Sequence, residues 1–293
     1  MLNKIIFLIK NPQIILDILY FNYCPDKMYL SRLFYKKIGY KINWDSPKTF
    51  NEKLNWLKIN DNNSLYTKLA DKYKVKDYVA KKIGVEYVVK NYGVWDSADD
   101  IDISQLPDSF VFKTTHDSGG VIICKDKASF PLKEAIEKLK SELRSKHYKF
   151  NREWVYKNIK PRIIADMFLD DQSGHELIDY KFWCFNGVPK LMYITNKGSV
   201  IYENFYDMEF KPVAINHGFS RKKPEYTRPE NFELMKELAG TLSEGIPFVR
   251  VDFFNVNHRV YFGEFTFYDW GAMRAFESYE MDLKLGNLIR LPR

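Results

Sequence analysis

Near the C-terminal end of the chain, two carboxylates, a guanidinium and a hydroxyl recur at strand-like spacing: Arg250 and Asp252 in Val249-Arg250-Val251-Asp252-Phe253, then Glu264 and Thr266 in Phe262-Gly263-Glu264-Phe265-Thr266-Phe267. Along an extended backbone, side chains alternate between faces, so Arg250 points with Asp252, and Glu264 with Thr266, while Val249, Val251, Phe253, Phe265 and Phe267 turn the other way. Should the two segments pair as a hairpin across residues 255–259, all four polar groups converge on a sheet that is otherwise aliphatic and aromatic. Carboxylates in such a place need compensation. A magnesium ion is one form of it, because hard divalent cations take one or two carboxylates plus phosphate oxygens, and a nearby arginine suits a transferring phosphoryl group. Cross-strand ion pairs on a solvated sheet face, Arg250 with Glu264 for example, are the purely structural alternative.

Two further groupings carry chemistry. Lys113-Thr114-Thr115-His116-Asp117-Ser118-Gly119-Gly120 places a point charge at a strand end and a glycine pair behind it, which frees the backbone to approach phosphate oxygens. It is neither a Walker loop nor a GxGxxG, and a plain glycine hairpin explains it equally well. In Asp179-Tyr180-Lys181-Phe182, Asp179 and Lys181 share a face, and the apolar run around Asp166 in Ile163-Ile164-Ala165-Asp166-Met167-Phe168-Leu169 offers main-chain groups to an adenine edge. A surface ion pair beside core strands is the structural counterpart.

The elements that must position these groups follow from periodicity. Residues 11–90 read as helix-rich, with Asp45-Ser46-Pro47 before Thr49-Phe50-Asn51-Glu52 as a capped start. Strands are predicted at 85–89, 110–114, 121–124, 161–169, 177–185, 190–195, 248–254 and 260–267, with Asn186-Gly187 as a hairpin turn. Helices are predicted at 132–147, 229–242 and 276–289. Strands joined mainly by hairpins and interrupted by segregated helices define an α+β class rather than a doubly wound parallel sheet.

Composition narrows the function less. The chain has 293 residues, 45% of them hydrophobic and 28% charged, as expected of a packed water-soluble protein. A net charge of +7 comes from basic residues scattered along helical stretches such as 68–82 and 133–149, which read as solvated faces, and no nucleic-acid motif accompanies them. The three cysteines, Cys24, Cys124 and Cys184, form no CxxC, which fits a reducing, cytoplasmic setting. The N-terminal segment 2–21 is too interrupted for a membrane span and reads as short amphipathic helices that dock on the body, with peripheral contact at the inner membrane face as the alternative.

In order, Lys113 with its glycine loop, Asp166, Asp179-Tyr180-Lys181-Phe182, Arg250-Val251-Asp252 and Glu264-Phe265-Thr266 resemble the ATP-grasp superfamily, most closely its TupA-like, teichuronopeptide-biosynthesis branch. Ser46-Pro47-Lys48-Thr49-Phe50-Asn51-Glu52-Lys53-Leu54-Asn55-Trp56-Leu57 and Ala70-Asp71-Lys72-Tyr73 resemble that branch as well. The resemblance implies two α+β lobes with antiparallel sheets that hold ATP and Mg2+ between them: a smaller lobe over 106–175 and a larger one over 176–293, behind a helix-rich region 1–105. It implies phosphate contacts from Lys113, Ser118, Gly119 and Gly120, and adenine contacts around Asp166 and Phe168. Asp179 would meet ribose, Lys181 phosphate, Arg250 the moving phosphoryl group, and Asp252, Glu264 and Thr266 the metal. Asp166 stands where the superfamily usually has Glu, and Thr266 where many members have Asn, so the hydroxyl would reach the metal through water. The implied activity is ligation of a carboxylate to an amine in surface polysaccharide synthesis, on a small-molecule or saccharide substrate. A sugar kinase and a glycosyltransferase using Asp100-Ile101-Asp102 are the rivals.

Overall fold

In a computed structural model, which describes residues 19–117, 119–172, 177–195, 201–222 and 225–292, the chain builds two antiparallel sheets with helices around them. The expectation for residues 2–21 falls almost wholly outside the described residues; 19–23 are helical. Helices α1 (Asp26–Ile38), α2 (Phe50–Asn60), α3 (Ser64–Ala70) and α4 (Lys74–Ile83) come first. The start of α2 is a capping box: Thr49 accepts from the Glu52 backbone N–H while the Glu52 carboxylate reaches back to the Thr49 N–H, so two orphan donors are satisfied at once.

Strands β1 (Asn91–Trp95), β2 (Phe110–Thr114), β3 (Val121–Cys124) and β4 (Ile163–Met167) form a four-stranded sheet in the order β1-β4-β2-β3. Its first strand therefore comes from the helix-rich region, upstream of residue 106. Alternation puts Phe110 and Phe112 into a small core with Leu139 of α5 (Leu132–Leu143), and leaves Lys113 and Asp166 on the other face.

The strand expected at 85–89 is corrected by the structure. Val85–Tyr87 is a 3-10 turn, and Val88 makes only an isolated bridge to Phe262. The edge strand is Asn91–Trp95, whose Asn and Gly have low strand propensity and which is specified by pairing with β4.

The larger sheet has six strands in the order β10-β9-β5-β6-β7-β8. These are β5 (Asp179–Phe185), β6 (Val188–Thr195), β7 (Glu203–Tyr206), β8 (Pro212–Val213), β9 (Phe248–Val256) and β10 (Arg259–Thr266). The turn between β5 and β6 has positive φ at both Asn186 and Gly187, the mirror-image turn that suits strand twist. One face packs against α7 (Phe232–Ser243), with Phe182 and Phe232 ring centroids 5.8 Å apart; the helices also include α6 (Tyr148–Asn151) and α8 (Tyr279–Gly286).

A bulge in β10 decides which residues share that core. Phe262 pairs with Phe253 and Phe265 with Val251, so Gly263 and Glu264 together oppose Asp252. Three positions apart, Phe262 and Phe265 would ordinarily face opposite ways; the extra residue sends both into the core. A Cβ on Gly263 would stand 3.1 Å from the Asp252 carbonyl oxygen, so the bulge leaves little room for a side chain.

Candidate active site

Three neighbouring strands bring the polar residues together. Lys181 of β5 lies opposite Asp252 of β9, and Arg250 of β9 lies opposite Thr266 of β10. The Arg250 guanidinium is the centre. Its Nε and Nη2 donate to the two Asp252 oxygens, each at 2.7 Å, Nη2 also reaches Glu264 at 3.1 Å, and Nη1 reaches Asp269 at 2.6 Å and the Tyr193 hydroxyl at 3.0 Å. Lys181 Nζ stands 3.0 Å from Asp252 and 3.4 Å from Asp179, and the Thr266 hydroxyl donates to Glu264 at 3.2 Å. Arg250, Asp252, Glu264, Thr266, Lys181 and Asp179 are thus one network, and the Arg250–Glu264 pair of the structural alternative is part of it.

The network is deeply set. Asp252 is 2% exposed, whereas the Glu264 side chain is 41% exposed. Burial disfavours the Asp252 carboxylate, but Arg250 and Lys181 outweigh it and hold its pKa below the ordinary value. Burial likewise opposes the Lys181 and Arg250 charges, and Asp252 foremost among their neighbours raises both above their usual values.

Asp269 and Tyr193 were not foreseen. Tyr193 sits on β6 on the same face as Lys181, and its hydroxyl donates to Asp269 at 2.8 Å. Asp269 opens a tight turn in which Trp270, Gly271 and Ala272 all have positive φ. From beneath, the buried Lys58 donates to the Gly271 carbonyl at 2.5 Å and Asn55 to the Ala272 carbonyl at 2.8 Å. Such backbone persists only where its surroundings over-determine it. Two features signal this in sequence: an Asp-Trp-Gly run directly after the polar strand, and a helix, Asn51 to Lys58, rich in amides and lysine on its buried side.

The four-stranded sheet contributes a second group. Asp166 lies between Lys113, at 3.2 Å, and Lys76 of α4, at 3.0 Å, and accepts from Asn91 at 3.1 Å. Lys76 corrects the reading of the basic residues in 68–82 as solvated, since it is half-buried, and burial foremost pulls its pKa down against the attraction of Asp166. The glycine loop folds over its own aspartate: Asp117 accepts from the Thr114 hydroxyl and from the Gly119 N–H at 3.3 Å, and Lys72 donates to the Asp117 carbonyl. At Gly120 φ is +46°, and a Cβ would stand 2.0 Å from the Thr114 hydroxyl, so the turn requires glycine. Ser118 lies outside the described residues.

Past β4, the Met167 N–H is taken by the Lys90 carbonyl at 2.8 Å, and Phe168 is half-buried. Met167, Leu169 and Leu177 pack with Val89, Phe254, Val256 and Tyr261, an apolar cluster that joins the end of β4 to β9 and β10. Phe254 has the same parity on β9 as Asp252 and Arg250, so this cluster continues the polar face. Tyr156 lies within the electrostatic reach of both the glycine loop and the network. Burial, then Glu153, Glu264 and Asp117, push its hydroxyl pKa well above normal while Arg250 opposes them.

The donor set fits a hard cation. Every group around Arg250 that could ligate is an oxygen, and Asp269 Oδ2 is buried with no hydrogen-bond partner among the described residues. No group of three or more His, Cys, Asp or Glu converges on one point among the described residues, so a cation there would complete its shell with water or phosphate. Asp102, half of the DxD, is occupied in capping the turn Ile103–Gln105.

The two antiparallel sheets, joined at an apolar cluster, are those of an ATP-grasp protein. Residues 52–290 match the family model described as TupA-like ATPgrasp, and the chain belongs to that family. No curated protein matches the sequence. Solved structures similar to it include D-alanine–D-alanine ligase from Helicobacter pylori, at 17% identity and TM-score 0.42 over 76% of this chain and 61% of that one. Another is N5-carboxyaminoimidazole synthase from Aspergillus clavatus, in complex with ADP and a ribonucleotide, at 12% identity and TM-score 0.43 over 72% and 46%. A RimK-domain ATP-grasp protein from Sphaerobacter thermophilus gives 12%, 0.43, 76% and 68%. The chain spans about three-fifths of the H. pylori ligase.

Proposed function

We propose that the chain is an ATP- and Mg2+-dependent ligase that activates a carboxylate as an acyl phosphate and joins it to an amine. The observation that carries this reading is a division of charge. Arg250 and Lys181 share four carboxylates, Asp252, Asp179, Asp269 and Glu264, whereas Lys113 and Lys76 share Asp166 alone. An anionic surplus suits a divalent cation, and a cationic surplus suits the phosphates of a nucleotide.

In this reading the lobes 106–175 and 176–293 hold the nucleotide between them, the cluster of Met167, Leu169 and Phe254 lies against adenine, and Lys113 and Lys76 meet phosphate. Asp252, Glu264 and, through water, Thr266 would hold magnesium, which would supply charge neutralisation on the phosphate oxygens. Arg250, held in place by Asp252 and Asp269, would exchange its contact with the more exposed Glu264 to meet charge that grows as the bond to ADP breaks. A carboxylate oxygen bonds to the γ-phosphorus as ADP leaves; the amine nitrogen then bonds to the acyl carbon, phosphate departs and the amine sheds a proton. We assign the carboxylate to a uronic or amino acid of a surface polysaccharide, in the cytoplasm.

Hydroxylamine tests the order of events. With ATP, magnesium and the carboxylate but no amine, it should capture a hydroxamate in step with ADP release. ADP accompanied by a phosphorylated sugar hydroxyl and no hydroxamate would make the protein a kinase instead.

A further inference from the structure

Beyond Tyr193 the same sheet face continues into a second charged group. Tyr193 stacks on Phe205 of β7 with centroids 4.8 Å apart, and Phe205 touches His217 at 5.7 Å. His217 and Glu203 are a buried pair, Nδ1 to Oε2 at 3.1 Å, and the Trp270 indole N–H approaches the other Glu203 oxygen at 3.4 Å. Both oxygens of this carboxylate are therefore engaged.

Arg274 stands next to this pair. Its guanidinium carbon lies 3.6 Å from the Phe219 ring centroid and 5.0 Å from that of Trp270, and those two centroids are 5.2 Å apart, so the pair of rings flanks the guanidinium on one side. Hydrogen bonding falls to its in-plane edges. Nε donates to the His217 carbonyl at 2.7 Å, and among the described residues Arg274 makes no ion pair. Burial pushes its pKa below the usual arginine value, with Glu203 only partly opposing. Gly218 lies beside the Nη2 edge: a Cβ on it would stand 3.8 Å from that atom, at ordinary contact distance. Trp270 beside it is 39% exposed.

A guanidinium held against aromatic rings on one side, with N–H groups to spare, is suited to planar, two-oxygen anions, because the fork of N–H groups matches a carboxylate. We propose that Arg274, backed by Phe219 and Trp270, binds a carboxylate of the acceptor substrate. This rests on the ligase reading and extends it. The arrangement places the acceptor on the β7 side of Arg250, opposite the apolar cluster at the β4 end, so that nucleotide and acceptor approach the network from its two ends. Asp269 and Trp270 are adjacent in one strained turn, so occupancy at Trp270 bears directly on the residue that holds Arg250.

The test uses matched probes, D-glucuronate and its neutral amide D-glucuronamide, with acetate and succinate as simpler carboxylates. Binding is read from the Trp270 indole resonance, assigned with Trp270→Phe. The carboxylates should shift this resonance and the amide should not. Arg274→Gln should weaken the response about ten- to hundredfold, with Arg274→Lys intermediate. No carboxylate-dependent shift in the wild type, an equal shift with the amide, or a shift that survives in Arg274→Gln would overturn the assignment. Thermal stabilisation by ATP and magnesium reports the nucleotide site separately: its failure in the wild type removes the ligase reading, whereas its presence with no carboxylate response removes only the role of Arg274.

Discussion

Around Arg250, two cations share four carboxylates, while around Asp166 two ammonium groups share one. The first group is cross-linked by hydrogen bonds across three adjacent strands and the turn that follows β10; the second is assembled from two sheet strands, a helix and an edge strand. Each charge near Arg250 is fixed by several partners, so that region is pre-organised, as suits a group that must meet a transition state. Lys113 depends on one carboxylate and its side chain is 25% exposed, so it is free to exchange Asp166 for another anion. The contrast separates a rigid centre from an adaptable rim.

Arg250→Met should break it most severely. It strands Asp252 and Asp269 in a buried setting, and loss of one partner from such a network costs about 3–5 kcal/mol. Urea denaturation measures this, and a loss below about 1 kcal/mol would mean that the network is not mutually dependent. Asp252→Asn and Glu264→Gln, near-isosteric, should keep the fold but lower magnesium-dependent ADP formation by more than the roughly 10- to 100-fold that outer partners of metal sites are worth. Unfolding of both variants would favour the purely structural reading of the cluster.

Lys58 sharpens the comparison through pH. Burial pushes its pKa down to about 7, with Glu153 opposing. Below that pH both folded and unfolded chains carry the proton, and the folded chain bears the whole cost of burying it. Between about 7 and the ordinary 10.5 the unfolded state binds the extra proton, so stability should rise with pH by at most about 1.4 kcal/mol per unit. Lys58→Met should flatten this rise; equal slopes in the two proteins would show that Lys58 does not titrate there. The smallest effect belongs to the rim. Lys113→Met should raise the ATP KM about tenfold at unchanged circular dichroism, and a wild-type KM would remove Lys113 from the nucleotide site.

How much was legible follows the same division. Alternation in residues 249–253 and 264–267 sufficed to group Arg250, Asp252, Glu264 and Thr266, because a strand's period fixes its faces locally. Asn186-Gly187 and the Thr49–Glu52 cap were readable for the same reason: their hydrogen bonds close within a few residues. Lys76 was hidden because helical lysines usually face water, and only the fold brings it to Asp166. Asp269 has no periodic signal in its turn, and Asn91–Trp95 owes its strand form to β4 rather than to its own residues. What escaped was set by contacts distant in sequence.

The extra residue at Gly263 acts as a phase shift in a two-beat pattern. Deleting it would not merely shorten β10; it would swap inside for outside along one half of the strand. Either Phe262 would be driven into the charged network, or Glu264 and Thr266 would turn toward the phenylalanines of the core. A chain that carries this site on β10 therefore tolerates substitution there far better than a change in length, and among its relatives the spacing between Phe262 and Phe265 should vary less than the identity of the residues between them.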